Sequence, residues 1–170
     1  MKRLILAVTL VVMAAGYIGI SAVLYTRLST VEAHCGGAYA DNSPAQFSAE
    51  ALKPGLDTSP YWMPSYETVS IPSRDPEITL NAWFVPTSEP DAPAVLITHG
   101  LGAGASDCKR NPRALMMAGM LQRNGYNVLL IDVREHGEST VENGRWGGGS
   151  EEYRDVLGAW DWLITVKGFT

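Results

Sequence analysis

Two short stretches of this chain gather residue types that do chemistry. The first, Thr98-His99-Gly100-Leu101-Gly102, follows an apolar run and continues in alternating glycines to Gly104. Glycine tolerates positive φ and lets backbone approach a ligand closely, so the amides of such a loop can face a cavity and bind an oxyanion or a phosphate. A tight turn is the plainer use of the same glycines. A phosphate loop needs G-x-x-x-x-G-K-[ST] and a dinucleotide loop needs G-x-G-x-x-G. Neither spacing is present.

The second stretch, Asp132-Val133-Arg134-Glu135-His136-Gly137-Glu138-Ser139, holds an acid, a base, an imidazole and a hydroxyl within eight positions. It tempts a catalytic reading. Polar groups crowded on one crossover more often bond to one another, so Asp132, Arg134, His136, Gly137 and Ser139 are expected to build a structural loop, with Arg134 anchored on a carboxylate. His99 at its strand end is expected to fix its own turn. No His or Cys stands at metal-ligand spacing, so neither a metal nor another cofactor is expected.

These loops need elements to hold them. Tyr66 to Ile71 alternates as a short strand, Pro72 to Pro76 turns the chain, and Ile78, Leu80, Ala82 and Phe84 give one face of a second strand that Pro86 ends. Ala94 to Thr98 is a continuous apolar run too short for a helix, which implies a strand buried on both faces. Asn111-Pro112 supplies a cap and a first-turn proline. Ala114, Met117, Ala118 and Leu121 then mark a helix that Asn124-Gly125 stops. Val128 to Val133 is a second buried strand, which completes a right-handed parallel βαβ unit. Ser150 is expected to cap a further helix that buries Tyr153, Val156, Leu157, Trp160, Leu163 and Ile164. The fold class is α/β, and in open parallel sheets ligands sit at the carboxyl ends of the strands, where both loops lie.

Composition must be read in two parts. Of the 22 residues from Leu4 to Tyr25 only Thr9, Gly16, Gly19 and Ser21 are not apolar, and about 33 Å of helix results, enough to cross a bilayer core. Signal-peptide cores are shorter, so residues 1–26 are expected to be an uncleaved signal anchor held in the lipid bilayer. Lys2 and Arg3 precede the run and only Arg27 follows it, which places the N-terminus in the cytoplasm and the rest outside. Residues 27–60, rich in Ser, Ala, Gly and Pro, read as a juxtamembrane linker. Residues 61–170 form the domain. From residue 28 onward the chain carries 10 basic against 18 acidic side chains, a poor balance for nucleic acid, which proteins bind through Lys and Arg. Cys35 and Cys108 are far apart. A bridge between them is open outside the cytoplasm, but two unpaired thiols are the plainer reading, because Cys35 falls in the linker.

The strand ending in His99-Gly100, and Gly-Tyr-Asn-Val-Leu-Leu-Ile-Asp-Val-Arg-Glu-His-Gly-Glu-Ser from Gly125 to Ser139, resemble the α/β-hydrolase superfamily. Within it they look like the serine aminopeptidase-like and prolyl-oligopeptidase-like esterase and peptidase branches, over residues 61–170. Glu135 departs from the pattern, which commonly has glycine there. The resemblance implies that the backbone N–H of Leu101 is an oxyanion donor, with His99, Gly100 and Gly102 in support, and that the Asp132 to Ser139 string is structural. It also implies a sheet order 1-2-4-3-5. The nucleophile of this superfamily lies in G-x-S-x-G after the strand that follows the Ser150 helix, and no such motif occurs. The chain is therefore expected to be the N-terminal half of a membrane-anchored serine hydrolase acting on a small ester or peptide substrate. It would lack the triad and be inactive alone, with the bare edge of the Ala94 to Thr98 strand open to association. The alternative is a non-catalytic, membrane-tethered binding or scaffold module with a partial fold.

Overall fold

The computed structural model describes residues 1–31, 35, 37–89, 91–100 and 107–170. The chain divides into two units, Met1–Thr30 and Val31–Thr170.

The first unit is one helix, α1 (Lys2–Ser29), whose apolar window has a mean hydropathy of 2.3. By length and composition it suffices to cross a membrane. The Thr9 hydroxyl donates to the Ile5 carbonyl at 2.9 Å, so this polar side chain needs no partner outside the helix.

The second unit is built on four strands, β1 (Glu67–Pro72), β2 (Thr79–Val85), β3 (Ala94–Thr98) and β4 (Asn127–Ile131), in the order β1-β2-β4-β3. β1 pairs antiparallel with β2 and β2 with β4, whereas β3 and β4 run parallel, Val95 opposite Val128 and Ile97 opposite Leu130. Helix α2 (Pro112–Arg123) is the crossover between β3 and β4, and α3 (Tyr153–Thr165) follows. Alternation along the strands divides the core. Leu80, Ala82 and Phe84 pack with Leu129, Ile131 and the α3 residues Ala159, Trp162 and Leu163, while Trp83 and Val85 pack with Val128, Leu130 and the α2 residues Leu115 and Ala118. All five residues of β4 are buried, as a central strand covered on both faces requires. β3 is the outermost strand, so Ala94 to Leu96 are only half-buried and burial on both faces is not observed.

The local signals for α2 act as their chemistry dictates. The Asn111 side chain accepts the Arg113 N–H at 2.8 Å, Pro112 opens the first turn, and Gly125 takes φ +84° at the end. The buried face differs from the periodic reading. Leu115 and Gly119 face inward and Met117 is exposed, because a Cβ on Gly119 would stand 2.4 Å from the Tyr61 carbonyl oxygen, and only glycine permits that approach. The α3 face is likewise turned. Asp155, Gly158, Ala159, Trp162 and Leu163 are buried, and Tyr153, Trp160 and Ile164 are exposed. Gly158 admits the Pro72 carbonyl where a Cβ would be only 2.5 Å away. Ser150 does not cap α3: its hydroxyl donates to Gly147 O within the preceding turn, and the Glu152 carboxylate accepts the N–H groups of Gly147 and Gly149 at 2.7 and 2.8 Å.

The expected linker is not featureless. Phe47, Ala49 and Met63 are buried, with Phe47 and Met63 in the α2-side core. Asn42 donates to the carbonyls of Ser48 and Arg110, both at 3.1 Å, and Arg110 returns a bond to Asn42 O at 2.8 Å. Cys35 and Cys108 are joined by a disulfide, with Cα atoms 5.7 Å apart, which corrects the reading of two unpaired thiols. The Ser, Ala and Gly content carried no periodic signal. Apart from single 3-10 turns at Gly37–Tyr39 and Ser59–Tyr61, this segment packs as an irregular strap.

Candidate active site

His99-Gly100 and the Asp132 to Ser139 loop lie at the carboxyl ends of the parallel strands β3 and β4. Leu101 and Gly102 are outside the described residues, so of the first loop the structure places His99 and Gly100. The His99 ring sits with Nδ1 3.1 Å from the Gly100 carbonyl oxygen and Nε2 3.4 Å from the Val133 N–H nitrogen. A carbonyl only accepts and a backbone N–H only donates, which assigns the neutral Nδ1–H tautomer. The ring thereby ties the end of β3 to the end of β4. Burial, the main cause, pushes the His99 imidazole below its ordinary pKa, helped by the neighbouring His136, against the Gly100 bond and the charges of Asp132 and Asp107.

The second loop is a closed bonding network. Asp132 is buried, and its carboxylate accepts the Lys109 N–H at 2.7 Å and the Glu138 N–H at 3.2 Å while pairing with the buried Lys109 ammonium. The ammonium also lies 4.8 Å over the Trp83 ring and 3.4 Å from Glu138. Burial alone would raise the Glu138 carboxyl pKa, but Lys109 and Arg110 hold it below its usual range. Gly137, at φ +57°, sits where a Cβ would overlap the Asp132 carboxylate. The Ser139 hydroxyl donates to Asp132 O at 2.7 Å and accepts the Asn81 N–H at 2.8 Å, so its lone pairs and proton serve the fold.

Arg134 is 1% exposed and meets Asp155, which is 0% exposed. Its Nη2 is 2.9 Å from Oδ1, its Nε is 3.2 Å from both oxygens, and its backbone N–H donates to Oδ2 at 2.8 Å. Asp75 takes Nη1 at 3.2 Å, and the Ser73 hydroxyl donates to Asp155 at 2.7 Å. Glu135 occupies the position where the resemblance leads one to expect glycine and takes φ +67°. A left-handed conformation costs a side-chain-bearing residue roughly 1–2 kcal/mol. The buried Glu135 carboxylate offsets this by accepting the N–H groups of Glu142, Asn143 and Gly144 at 2.9, 2.9 and 2.7 Å, which are charge-assisted bonds.

His136 is 1% exposed. Its Nδ1–H donates to Arg134 O at 2.9 Å, and its ring centroid is 4.6 Å from that of His99. Its Nε2 has no hydrogen-bond partner among the described residues.

Sequence reasoning did not single out Lys109 or Asp155, and it placed Glu152 in the first turn of the helix where the structure has its carboxylate accepting the Gly147 and Gly149 N–H groups. Lys109 carries no local signal. Asp155 could have been found as the polar member of the true buried face of α3, at spacings of four, seven and eight from Ala159, Trp162 and Leu163. No group of three or more metal-binding side chains is present among the described residues. A concavity of about 420 Å³ lies elsewhere, beside the amino end of β3, lined by Ala94, Trp160, Leu163, Ile164 and Phe169. It marks the open side of the sheet, not the strand ends where the loops lie.

The mixed sheet, its crossover helix and the two strand-end loops define a partial α/β-hydrolase fold. Neither a family model nor a curated protein matches the sequence. Among solved structures, the Pyrococcus furiosus esterase Pf2001 aligns in one crystal form with a TM-score of 0.55 at 18% identity, over 83% of this chain and 42% of that one. In another crystal form the TM-score is 0.50 at 21% identity, over 72% and 42%. A protein of unknown function from Agrobacterium tumefaciens, described as a candidate α/β hydrolase, aligns with a TM-score of 0.51 at 23% identity, over 59% and 43%. The chain spans less than half the length of each.

Proposed function

We propose that this chain is the N-terminal part of a membrane-anchored serine hydrolase that cleaves an ester or peptide bond by acyl transfer. The observation that carries the reading is His99-Gly100 at the carboxyl end of the outermost parallel strand, in a sheet of order β1-β2-β4-β3. In this reading the Leu101 amide is one donor to the oxyanion of the tetrahedral intermediate. Removing one such donor typically costs 10²–10³ in kcat. The nucleophile, the triad acid and the triad histidine come from outside these 170 residues. The Asp132 to Ser139 loop contributes no reacting group, since its acid, base and hydroxyl are all engaged in the fold.

The disulfide supports an extracytoplasmic domain, because such bonds persist in oxidising compartments. That side agrees with the orientation set by Lys2 and Arg3 ahead of α1. The reading is tested by the gene beyond codon 170. It requires an in-frame strand followed by G-x-S-x-G, then an acid and a histidine. A stop codon there, in a stably expressed protein, overturns the enzymatic reading and leaves a tethered, non-catalytic module.

A further inference from the structure

The two adjacent imidazoles, tilted by 52° to each other, are linked to the backbone in different ways. His99 has both ring nitrogens engaged, Nδ1 with Gly100 O and Nε2 with the Val133 N–H. His136 uses only Nδ1, on Arg134 O, and its Nε2 lone pair is buried and unused among the described residues. Leaving a buried acceptor unsatisfied costs its full desolvation. Such a group needs a reason to persist. The Arg134 carbonyl fixes the His136 tautomer, so its Nε2 can only accept.

A proton added to His99 can go only to Nε2, since Nδ1 already carries one. That turns Nε2 from acceptor to donor and sets it against the Val133 N–H. The ring must then find another acceptor. The His136 lone pair belongs to the neighbouring ring, whose centroid is 4.6 Å away and whose plane is tilted by 52°, so the rings turn relative to each other to bring the two Nε2 atoms to hydrogen-bond distance. We propose that His99 and His136 form a proton-operated switch at the carboxyl ends of β3 and β4. Neutral His99 binds the Val133 N–H, and protonated His99 releases it and donates Nε2–H to His136 Nε2.

The charged groups around the pair set its sensitivity. Asp132 and Asp107 favour the cation and the charge of His136 disfavours it; Lys109 neutralises Asp132, and Glu138 is shared between Lys109 and Arg110. The Arg134 guanidinium is directed to Asp155 and Asp75. Burial opposes protonation, and a histidine whose folded pKa lies below its unfolded value of about 6.5 contributes stability that is fully present above pH 6.5. That stability is lost as the pH falls from there to the folded pKa. The switch therefore operates on the acid side of about pH 6.5 and frees the Val133 N–H from the His99 ring at the strand ends, where ligands of open α/β sheets bind, while the β3–β4 ladder stays paired.

The test is imidazole and amide NMR on the full chain in detergent micelles. At pH 7.5, His99 and His136 are expected as Nδ1–H tautomers. On acidification, exchange of the Val133 amide, corrected for its intrinsic pH dependence, rises at least roughly tenfold as His99 titrates. His136→Phe keeps a ring beside His99 but removes the lone pair, and it lowers the His99 midpoint by roughly one pH unit. His99→Gln abolishes the acid step at Val133 and serves if His136→Phe does not fold. An unchanged or raised midpoint in His136→Phe shows that His136 only crowds its neighbour, and overturns the proposal. So does an acid step at Val133 that survives in His99→Gln, or a Val133 amide that follows only intrinsic exchange in the unaltered chain. All these readouts are independent of hydrolase activity, so they stand or fall apart from the enzymatic reading.

Discussion

Asp155→Leu lowers the unfolding free energy of the domain by about 3–5 kcal/mol, the usual cost of leaving one member of a buried ion pair uncompensated. Arg134 and Asp155 are 1% and 0% exposed at their side chains, so water cannot take over the lost bonds. The substitution strands the Arg134 guanidinium, its backbone N–H and the Ser73 hydroxyl together. Domain stabilities are commonly about 5–15 kcal/mol, so a loss of this size is a large fraction of the total. Urea unfolding of the full chain in micelles measures it. The exposed pair Arg74–Asp161, 49% and 44% exposed, is the internal control: Asp161→Asn changes stability by less than about 1 kcal/mol. The double variant Arg134→Met with Asp155→Leu recovers most of the loss, because an apolar pair of similar volume can replace a buried salt bridge. An Asp155→Leu protein as stable as the parent would show that α3 is not anchored on the Arg134 loop.

The second large effect belongs to the disulfide. Cys35 and Cys108 are 73 residues apart in sequence, and closing a loop of that length restricts the unfolded chain by about 4 kcal/mol in the chain-entropy model. Cys108→Ser therefore loses stability close to that of Asp155→Leu, by a different route. The folded core is left intact, and the strap from residue 37 to residue 63 is then held by packing of Phe47, Tyr61 and Met63 and by the bonds between Asn42 and Arg110. Limited proteolysis is expected to cut the strap before the sheet in the variant and in reduced protein, and not in the oxidised parent. Equal unfolding midpoints with and without a reductant contradict this account.

Local rules made much of this fold legible. The cap at Asn111, the proline after it and the positive φ of Gly125 each act through neighbouring atoms, and the runs at Ala94 to Thr98 and Val128 to Val133 announce strands by composition alone, of which only the second is buried throughout. The rest depends on partners distant in sequence. Which face of α3 is buried was decided by Asp155 reaching Arg134 across 21 residues and Ser73 across 82, a choice that apolar periodicity could not see. Trp160 and Trp162 are equally apolar, yet only Trp162 points inward. Glu135 shows the same limit in another form. Its side chain looked like an obstacle in a tight loop, and the compensation came from three amides seven to nine residues further on. Lys109 pairs with Asp132 across 23 residues, and nothing adjacent in sequence foretold it.

The most direct measurement is fluorophosphonate labelling of membranes from cells expressing the native gene, followed by peptide mapping of the labelled band. If the chain completes its active site with a serine elbow, one labelled polypeptide yields both tryptic peptides from residues 61–170 and a modified serine lying beyond residue 170. Full-length membranes in which every polypeptide containing those peptides stays unlabelled, under conditions that label other serine hydrolases, would contradict it.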